Sequence, residues 1–398
     1  MYYFDFQGKK ISALGFGMMR LPVLDGDNAK IDEEQVEKMI ALAIDGGVNY
    51  FDTAWPYHAG KSELTVGKFL SKYPRESYFL ADKFPGHQIS ESYNAKEIFE
   101  TQLEKCGVDY FDFYLLHNVY ENSVHVYEDE RWGIIDYLKE QKKLGRIKHL
   151  GFSCHGGVPM LKEFLEKHHE DLEFCQLQMN YLDWELQDAK TKYDICASYN
   201  IPVWVMEPVR GGKLAKLDDE LMAKLKEKRD ETAASWAFRF LQSLDNVGVT
   251  LSGMSNIEQM EQNIKTFESR EILSYDEMQT LAGVSETLRR GIPCTKCRYC
   301  CDGCPMGLDI PTFIEMLNDV RFHPVVNTAM RLDALDEDKR PSACIGCGQC
   351  EAVCPQGLKI PEYLAELDNI VSKLPKWAEI SKKRAEEAEK LKREKEGK

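Results

Sequence analysis

Four side chains with acid–base chemistry stand in the order Asp52, Tyr57, Lys83, His117. Brought into one site, they could hand a proton to a strongly basic oxygen such as a nascent alkoxide. A free phenol, with a pKa near 10, gives up its proton reluctantly at neutral pH. A neighbouring ammonium favours the phenolate and so strengthens the acid. On this reading Tyr57 is the proton donor and Lys83 lowers its pKa. Asp52 holds Lys83 and balances its charge, and His117 hydrogen-bonds the reacting oxygen or helps move the proton. A lone Tyr in a loop is usually packing, and a lone His is usually a satisfied structural group. The weight lies in the four together.

A second set of residues is suited to metal. Of 13 cysteines, nine crowd between Cys294 and Cys354, while Cys106, Cys154, Cys175 and Cys196 are scattered. Cys294-x2-Cys297-x2-Cys300-x3-Cys304-Pro305 is repeated, 50 residues on, as Cys344-x2-Cys347-x2-Cys350-x3-Cys354-Pro355. This is the bacterial ferredoxin run for [4Fe-4S] clusters, in which the fourth cysteine of each run ligates the other cluster. By that crossed rule Cys294, Cys297, Cys300 and Cys354 hold one cluster, and Cys344, Cys347, Cys350 and Cys304 the other. Two Cys-x2-Cys pairs alone would also suit structural zinc; eight cysteines with two Cys-Pro endings favour clusters. Cys301 has Glu351 at its offset and is spare.

The acid–base groups need elements to hold them. Gly46-Gly47 leads into a short apolar run that ends at Asp52, and Pro56 and Gly60 mark the loop bearing Tyr57. Ser62 is expected to cap the helix that runs to about Leu70. Lys83 and His117 each end another apolar run. After a small hairpin over 2–12, strands are predicted over 14–17, 49–52, 78–83, 110–117, 148–153, 174–180, 202–207 and 247–252. Helices fall between them, over 32–45, 62–70, 95–105, 131–143, 158–168, 188–199, 231–241 and 257–267. Strand–helix repeats at this spacing argue a closed parallel (β/α)8 barrel with catalytic groups at the carboxyl ends of its strands. A doubly wound sheet is the alternative, weakened by the lack of a Gly-x-Gly-x-x-Gly fingerprint after the first strand.

The ordered Asp, Tyr, Lys and His, with Phe51-Asp52-Thr53-Ala54-x-x-Tyr57 around the first two, resemble the catalytic tetrad of the aldo/keto reductases over roughly residues 1–285. The resemblance implies a nicotinamide site. Gly17, Met18 and Asp52 would lie beside the cofactor. Gly151-Phe152-Ser153-Cys154-His155 matches the strand-five motif, where Ser153 binds the carboxamide and the family often has Asn in place of Cys154. Gln176 is the second carboxamide ligand, with Gln178 on the same strand face as the alternative. Met206-Glu207-Pro208-Val209-Arg210-Gly211-Gly212 matches the pyrophosphate loop, with Met206 where the family stacks an aromatic ring. The segment from Gly253 through Ser255 and Gln259 to Asn263 matches the adenosine-phosphate site. There Gly253 and Gln259 replace the cations that clamp the 2′-phosphate of NADP, so the choice between NAD and NADP stays open. Trp55, His58, Asn118 and Tyr120 are expected at the pocket mouth.

With a helix expected over 276–289, the joint architecture resembles the ferredoxin-fused aldo/keto reductases of anaerobic metabolism. The barrel is expected over 1–288 and a small, mainly α-helical ferredoxin-like domain over 289–372, with helical text at 311–318 and 324–333. A charged tail over 373–398, with Glu and Lys interspersed from 382, reads as a solvated or frayed helix. The favoured function is reduction of a small aldehyde or ketone with NADPH or NADH, the clusters being structural or redox-sensing. One alternative is an iron–sulfur flavoenzyme, with FMN in the barrel, that passes single electrons between a ferredoxin-type partner and an organic substrate. Another, disfavoured by the intact tetrad, is a non-catalytic nucleotide-binding barrel. The net charge of −15 argues against a nucleic-acid partner. No apolar run approaches a membrane span, and the N-terminus does not read as a signal peptide. Clustered thiols without a secretion signal fit a reducing cytoplasm.

Overall fold

A computed structural model describes residues 1–88, 93–289, 291–292, 294, 296–322 and 326–374. The expected tail from 382 onward lies outside the described residues. The chain divides into two compact units, Met1–Met278 and a second beginning at Gln279, the division falling inside the helix Tyr275–Leu288.

The first unit opens with an antiparallel hairpin, β1 (Tyr3–Phe6) and β2 (Lys9–Ser12). Eight parallel strands then close into a barrel: β3 (Leu14–Gly17), β4 (Tyr50–Asp52), β5 (Phe79–Phe84), β6 (Phe111–Val119), β7 (Ile147–Cys154), β8 (Cys175–Gln178), β9 (Val203–Met206) and β10 (Val247–Ser252). β10 pairs with β3, which completes the ring and rules out the open doubly wound sheet. Tyr50, Ala81, Phe113, Leu115, Phe174, Trp204, Val249 and Leu251 form a core cluster with Phe6 and Ile11 of the hairpin. Phe6 stands 5.8 Å from Phe113 and 5.2 Å from Trp204, ring centre to ring centre. Each such side chain contributes about 1.5–3 kcal/mol by leaving water.

The outer helices begin where short polar side chains accept an amide of the first turn. Asp32 accepts from Gln35 N, Asn94 from Glu97 N, Thr232 from Ser235 N and Asn256 from Gln259 N. The expected cap at Ser62 is not observed. Lys61 takes the cap position without a side-chain bond, and the buried Ser62 hydroxyl contacts Thr53 Oγ1 (2.8 Å) and Met18 O (3.2 Å). Ser62 therefore ties two loops at the top of the barrel. The helix expected from 131 begins at Ile134, after Gly133 at φ +54°. The helix Ser62–Leu70 lies so close to the helix Ala95–Cys106 that a Cβ on Gly67 would come within 2.7 Å of the Lys105 and Cys106 backbone.

The second unit is helical. Its core draws on both cysteine repeats: Leu308, Ile310, Phe313, Ile314 and Leu317 from the first, Leu358, Ile360, Leu364 and Leu367 from the second. The helices Ile310–Phe322 and Ile360–Ser372 pack together and are joined by a two-pronged Arg321–Glu366 ion pair at 2.7 and 2.5 Å. The latter helix was not expected. Among the described residues no helix is long and apolar enough to cross a membrane.

Candidate active site and cysteine-lined spaces

Parallel register sets the heights of the acid–base groups. Asp52 ends β4 beside Ala81 of β5, and Lys83 follows two residues on, so both project at the carboxyl rim. The wholly buried Lys83 ammonium donates to Asp52 Oδ1 at 2.5 Å and to the Thr53 carbonyl at 2.7 Å, and lies 3.5 Å from Tyr57 Oη. The His117 ring centre is 6.0 Å from that of Tyr57, nearly perpendicular to it. Tyr127 Oη bridges the carbonyls of Phe84 (3.1 Å) and His117 (2.5 Å), locking these two strand ends together.

Burial raises the Tyr57 phenol above its ordinary value; Lys83 pulls it back, and Asp52 and Glu207 add to the rise. The expected net lowering by Lys83 is thus corrected: desolvation outweighs the ammonium. Burial also works against the Lys83 charge, yet the Asp52 and Tyr57 interactions leave its pKa raised, so it stays an ammonium. Burial lifts Asp52 while Lys83 draws it down.

At the other side of the mouth, Ser153 and Gln176 are register partners on β7 and β8, both buried. Ser153 Oγ accepts from Asn118 N at 2.7 Å and keeps its own proton to give. Among the described residues, Gln176 Oε1 and Asn118 Oδ1 are buried without a hydrogen-bond partner. The Gln178 amide donates to Asp183 Oδ2 at 2.9 Å. The Gln178 side chain also hydrogen-bonds the His155 ring, so of the two it is Gln176 whose carbonyl lacks a partner among the described residues. Burial pushes the Cys154 thiol up to about 12. Met206 ends β9, and the loop after it carries Glu207 at φ +57°, Arg210 at +47°, Gly211 at +62° and Gly212 at +92°. Val209 O receives the amides of Gly212 and Leu214. Gly17 ends β3, and the buried Met18 follows it.

The segment after β10 spends its polar groups on itself. Ser255 N donates to Gln259 Oε1 and Ser255 Oγ to the Arg20 carbonyl, each at 2.8 Å; Asn263 donates to Ser252 Oγ at 3.0 Å. Sequence reading missed Arg20. Its side chain lies over Gly253, where a Cβ would come within 3.2 Å of it, and its guanidinium is 3.4 Å from Glu207. It also missed the buried His87, whose ring centre is 4.3 Å from that of His117. His58, expected at the mouth, is a buried brace: Nε2 accepts from Leu21 N at 3.1 Å, and Nδ1 faces Asn28 O at 2.9 Å. Trp55 lies under the Lys105 ammonium, 3.9 Å from ring centre to Nζ, and Tyr120 is buried.

In the second unit the cysteines gather as crossed fours. Cys294, Cys297, Cys300 and Cys354 line one space with Ile310 and Leu358. Cys304, Cys344, Cys347 and Cys350 line another with Leu308 and Leu364. Ile310 borders both. Cys301 lines neither; it packs at the margin of the core. The repeats match in conformation, with Gly307 at φ +60° and Gly357 at +61°. Four thiols around an apolar hollow suit an iron–sulfur cluster, whose ligands are thiolates. Among the described residues, no three His, Cys, Asp or Glu side chains sit together as ligands of one metal ion.

A model of the aldo/keto reductase family matches residues 13–286, and a model of a 4Fe-4S dicluster domain matches residues 293–359. The chain is 27% identical over 274 residues to an aldo-keto reductase of Mycolicibacterium smegmatis, covering 68% of this chain and 89% of that protein. It is 34% identical over 155 residues to "Probable aldo-keto reductase 1" of Glycine max, covering 37% of this chain and 42% of that protein. Among solved structures, the holo form of an aldo-keto reductase from Bacillus halodurans is similar in fold, with TM-score 0.56 and 23% identity, covering 71% of this chain and 95% of that one.

Proposed function

The chain belongs to the aldo/keto reductase family, and from that premise we propose that it reduces the carbonyl of a small aldehyde or ketone with Tyr57 as proton donor. The observation that carries this reading is the hold on Lys83: Asp52 and Thr53 fix its ammonium, and Tyr57 Oη lies 3.5 Å away. The buried, unspent carbonyl of Gln176, level with Ser153 Oγ, fits a nicotinamide carboxamide. Bound there, NADPH or NADH supplies hydride. Ser153 and Gln176 would orient the carboxamide, Met206 would stand in place of the family's stacking ring, and Glu207, Val209 and Gly211 would hold the pyrophosphate. Gly17, Met18 and Asp52 line the same path; Gly253, Ser255, Gln259 and Asn263 border its adenosine end.

Tyr57 holds its proton through the neutral range, because burial disfavours the phenolate. As negative charge grows on the substrate oxygen, the Tyr57 O–H bond breaks and the proton passes to that oxygen. The phenolate left behind faces the Lys83 ammonium, which is charged in advance and needs no rearrangement. His117 steadies the substrate oxygen from the other side.

In this reading the second unit carries two [4Fe-4S] clusters, on Cys294, Cys297, Cys300 and Cys354 and on Cys304, Cys344, Cys347 and Cys350. They serve structure or redox sensing in a reducing cytoplasm. Tyr57→Phe tests the assignment. It keeps the ring, so dinucleotide titration and melting should match the parent, while turnover of a small-aldehyde panel falls by about 10²–10⁴-fold. Near-normal turnover sinks the reading. Flavin bands in the spectrum of anaerobically purified protein would replace it with the iron–sulfur flavoenzyme.

A further inference from the structure

Behind the rim lies a buried polar chain that the proposed proton transfer does not use. Glu63, on the first turn of the helix Ser62–Leu70, has no exposed surface, yet both its oxygens are engaged. Gln102 Nε2 donates to Oε1 at 3.0 Å and Lys105 Nζ to Oε2 at 2.7 Å. These two partners are three residues apart on the helix Ala95–Cys106, so they share one face. Each reaches on toward the active site. Gln102 Nε2 also donates to the Lys83 carbonyl at 3.0 Å, and its Oε1 receives the Tyr114 hydroxyl. The Lys105 ammonium sits 3.9 Å over the centre of Trp55, midway along the loop from Asp52 to Tyr57. Asp82 Oδ1 takes the Lys83 amide at 2.8 Å.

Glu63 thus joins two arms. One ends on the backbone of the lysine, the other on the loop of the tyrosine. We propose that Glu63 is a positioning residue: through Gln102 and Lys105 it registers the Tyr57 loop against the Lys83 strand and so sets the Nζ–Oη separation. The inference rests on Tyr57 being the proton donor. A wholly buried carboxylate is costly to desolvate. Two hydrogen-bonded arms give it a use that packing alone would not need.

The groups around Tyr57 are Lys83 on β5, Asp52 on β4, His117 on β6 and Glu207 after β9. Of these, Lys83 is the one that steadies the phenolate by charge. If the loop and strand drift apart, the phenol becomes a weaker acid, and the alkaline limb of reduction moves to higher pH. Around Glu63 itself are Lys105, Asp82, Cys106 and Tyr114. Burial first, and the Glu63 charge second, push Asp82 well above the carboxylate range.

The test uses the full chain with its clusters. Glu63→Gln should lower turnover by about 10–100-fold, the scale of a misplacement near 1 Å. The dissociation constants of NADH and NADPH should stay within about twofold, as uniform binding is untouched, and the alkaline limb should rise. Because this variant leaves Lys105 half-buried without its anion, stability has to be separated from position. The double variant Glu63→Gln/Lys105→Met removes both charges. It should melt close to the parent yet keep the slow turnover and the displaced limb. Recovery of turnover together with stability in the double variant would reduce Glu63 to a fold-stabilising role and overturn the proposal. So would parental turnover in Glu63→Gln. If Tyr57→Phe is also fully active, the donor assignment itself has failed; if Tyr57→Phe is inactive, only the role of Glu63 has.

Discussion

In the proposed reaction Tyr57 is an acid that keeps its proton until an oxygen needs it. Burial, the largest influence, raises its pKa, and Lys83 limits the rise. Reduction should therefore hold steady across neutral pH and fall only on the alkaline side, where the phenol loses its proton. A pH profile of kcat/KM with a limb below pH 7 assignable to Tyr57 would contradict this. Lys83→Met should differ from Tyr57→Phe in kind. It removes one partner of a wholly buried ion pair and leaves Asp52 uncompensated, a loss of about 3–5 kcal/mol. Turnover and melting temperature should fall together in Lys83→Met, whereas in Tyr57→Phe only turnover falls. At the proposed adenosine end, Arg20 is a cation already shared with Glu207, and Gln259 is spent on Ser255. Titration should show less than about a tenfold preference between NADPH and NADH, within what one shared charged contact supplies. A thousandfold preference would place the 2′-phosphate elsewhere. The grouping of Asp52, Tyr57, Lys83 and His117 was legible in sequence because three of them end separate apolar runs and Tyr57 stands in the loop after the first. Arg20 over Gly253 and His87 against His117 were not, since only closure of the barrel brings them together.

At the scale of elements, strand existence was easy to read and local chemistry less so. Apolar runs of four to eight residues between polar helices mark β3 to β10 with small errors at their ends. Ser62 has the type and position of a cap, yet a tertiary partner, Met18 O, claims its hydroxyl. The floor of the barrel shows the same principle in an ion cluster. Glu173 precedes β8 and receives His149 Nδ1 at 2.7 Å, Gln7 Nε2 at 2.8 Å and the Lys142 ammonium. Burial alone would raise its carboxyl, but these bonds outweigh it and hold the pKa at about 2. The folded value lies below the unfolded one, so the stabilisation is present above pH 4.5 and is lost as pH falls toward 2. From 4.5 to about 2 the shift corresponds to about 3 kcal/mol. Glu173→Gln should lose about that much in denaturant unfolding at pH 7. The gap to the parent should close as unfolding is repeated toward pH 2. A gap independent of pH would mean that the cluster acts by shape alone.

The whole molecule joins two units with separate cores, and the second makes sense only as a pair of repeats. Its crossed cysteines were legible because spacing and the Cys-Pro endings repeat at one offset. The helix Ile360–Ser372 was missed, since nothing in its text announces the partner Ile310–Phe322 on which its apolar face depends. Neither repeat encloses a space alone: Cys354 completes the first four and Cys304 the second. The two proposed clusters would give about eight iron and eight acid-labile sulfide per chain. Cys354→Ser should then act beyond its own site. One cluster loses a thiolate, and the two repeats lose a covalent tie through metal, while Leu308, Ile310, Leu358 and Ile360 keep only their apolar contacts. Iron content should fall by half or more, with loss of the visible cluster band. The barrel has its own core, around Phe6, Phe113 and Trp204, so dinucleotide binding should survive. Reduction of a carbonyl with NADPH or NADH should persist in part if the clusters serve structure or sensing. Full iron content in this variant would contradict the ligand assignment. Complete loss of turnover in a folded, dinucleotide-binding barrel would mean that electrons must pass through the clusters, and would overturn the reading in which they only brace or report.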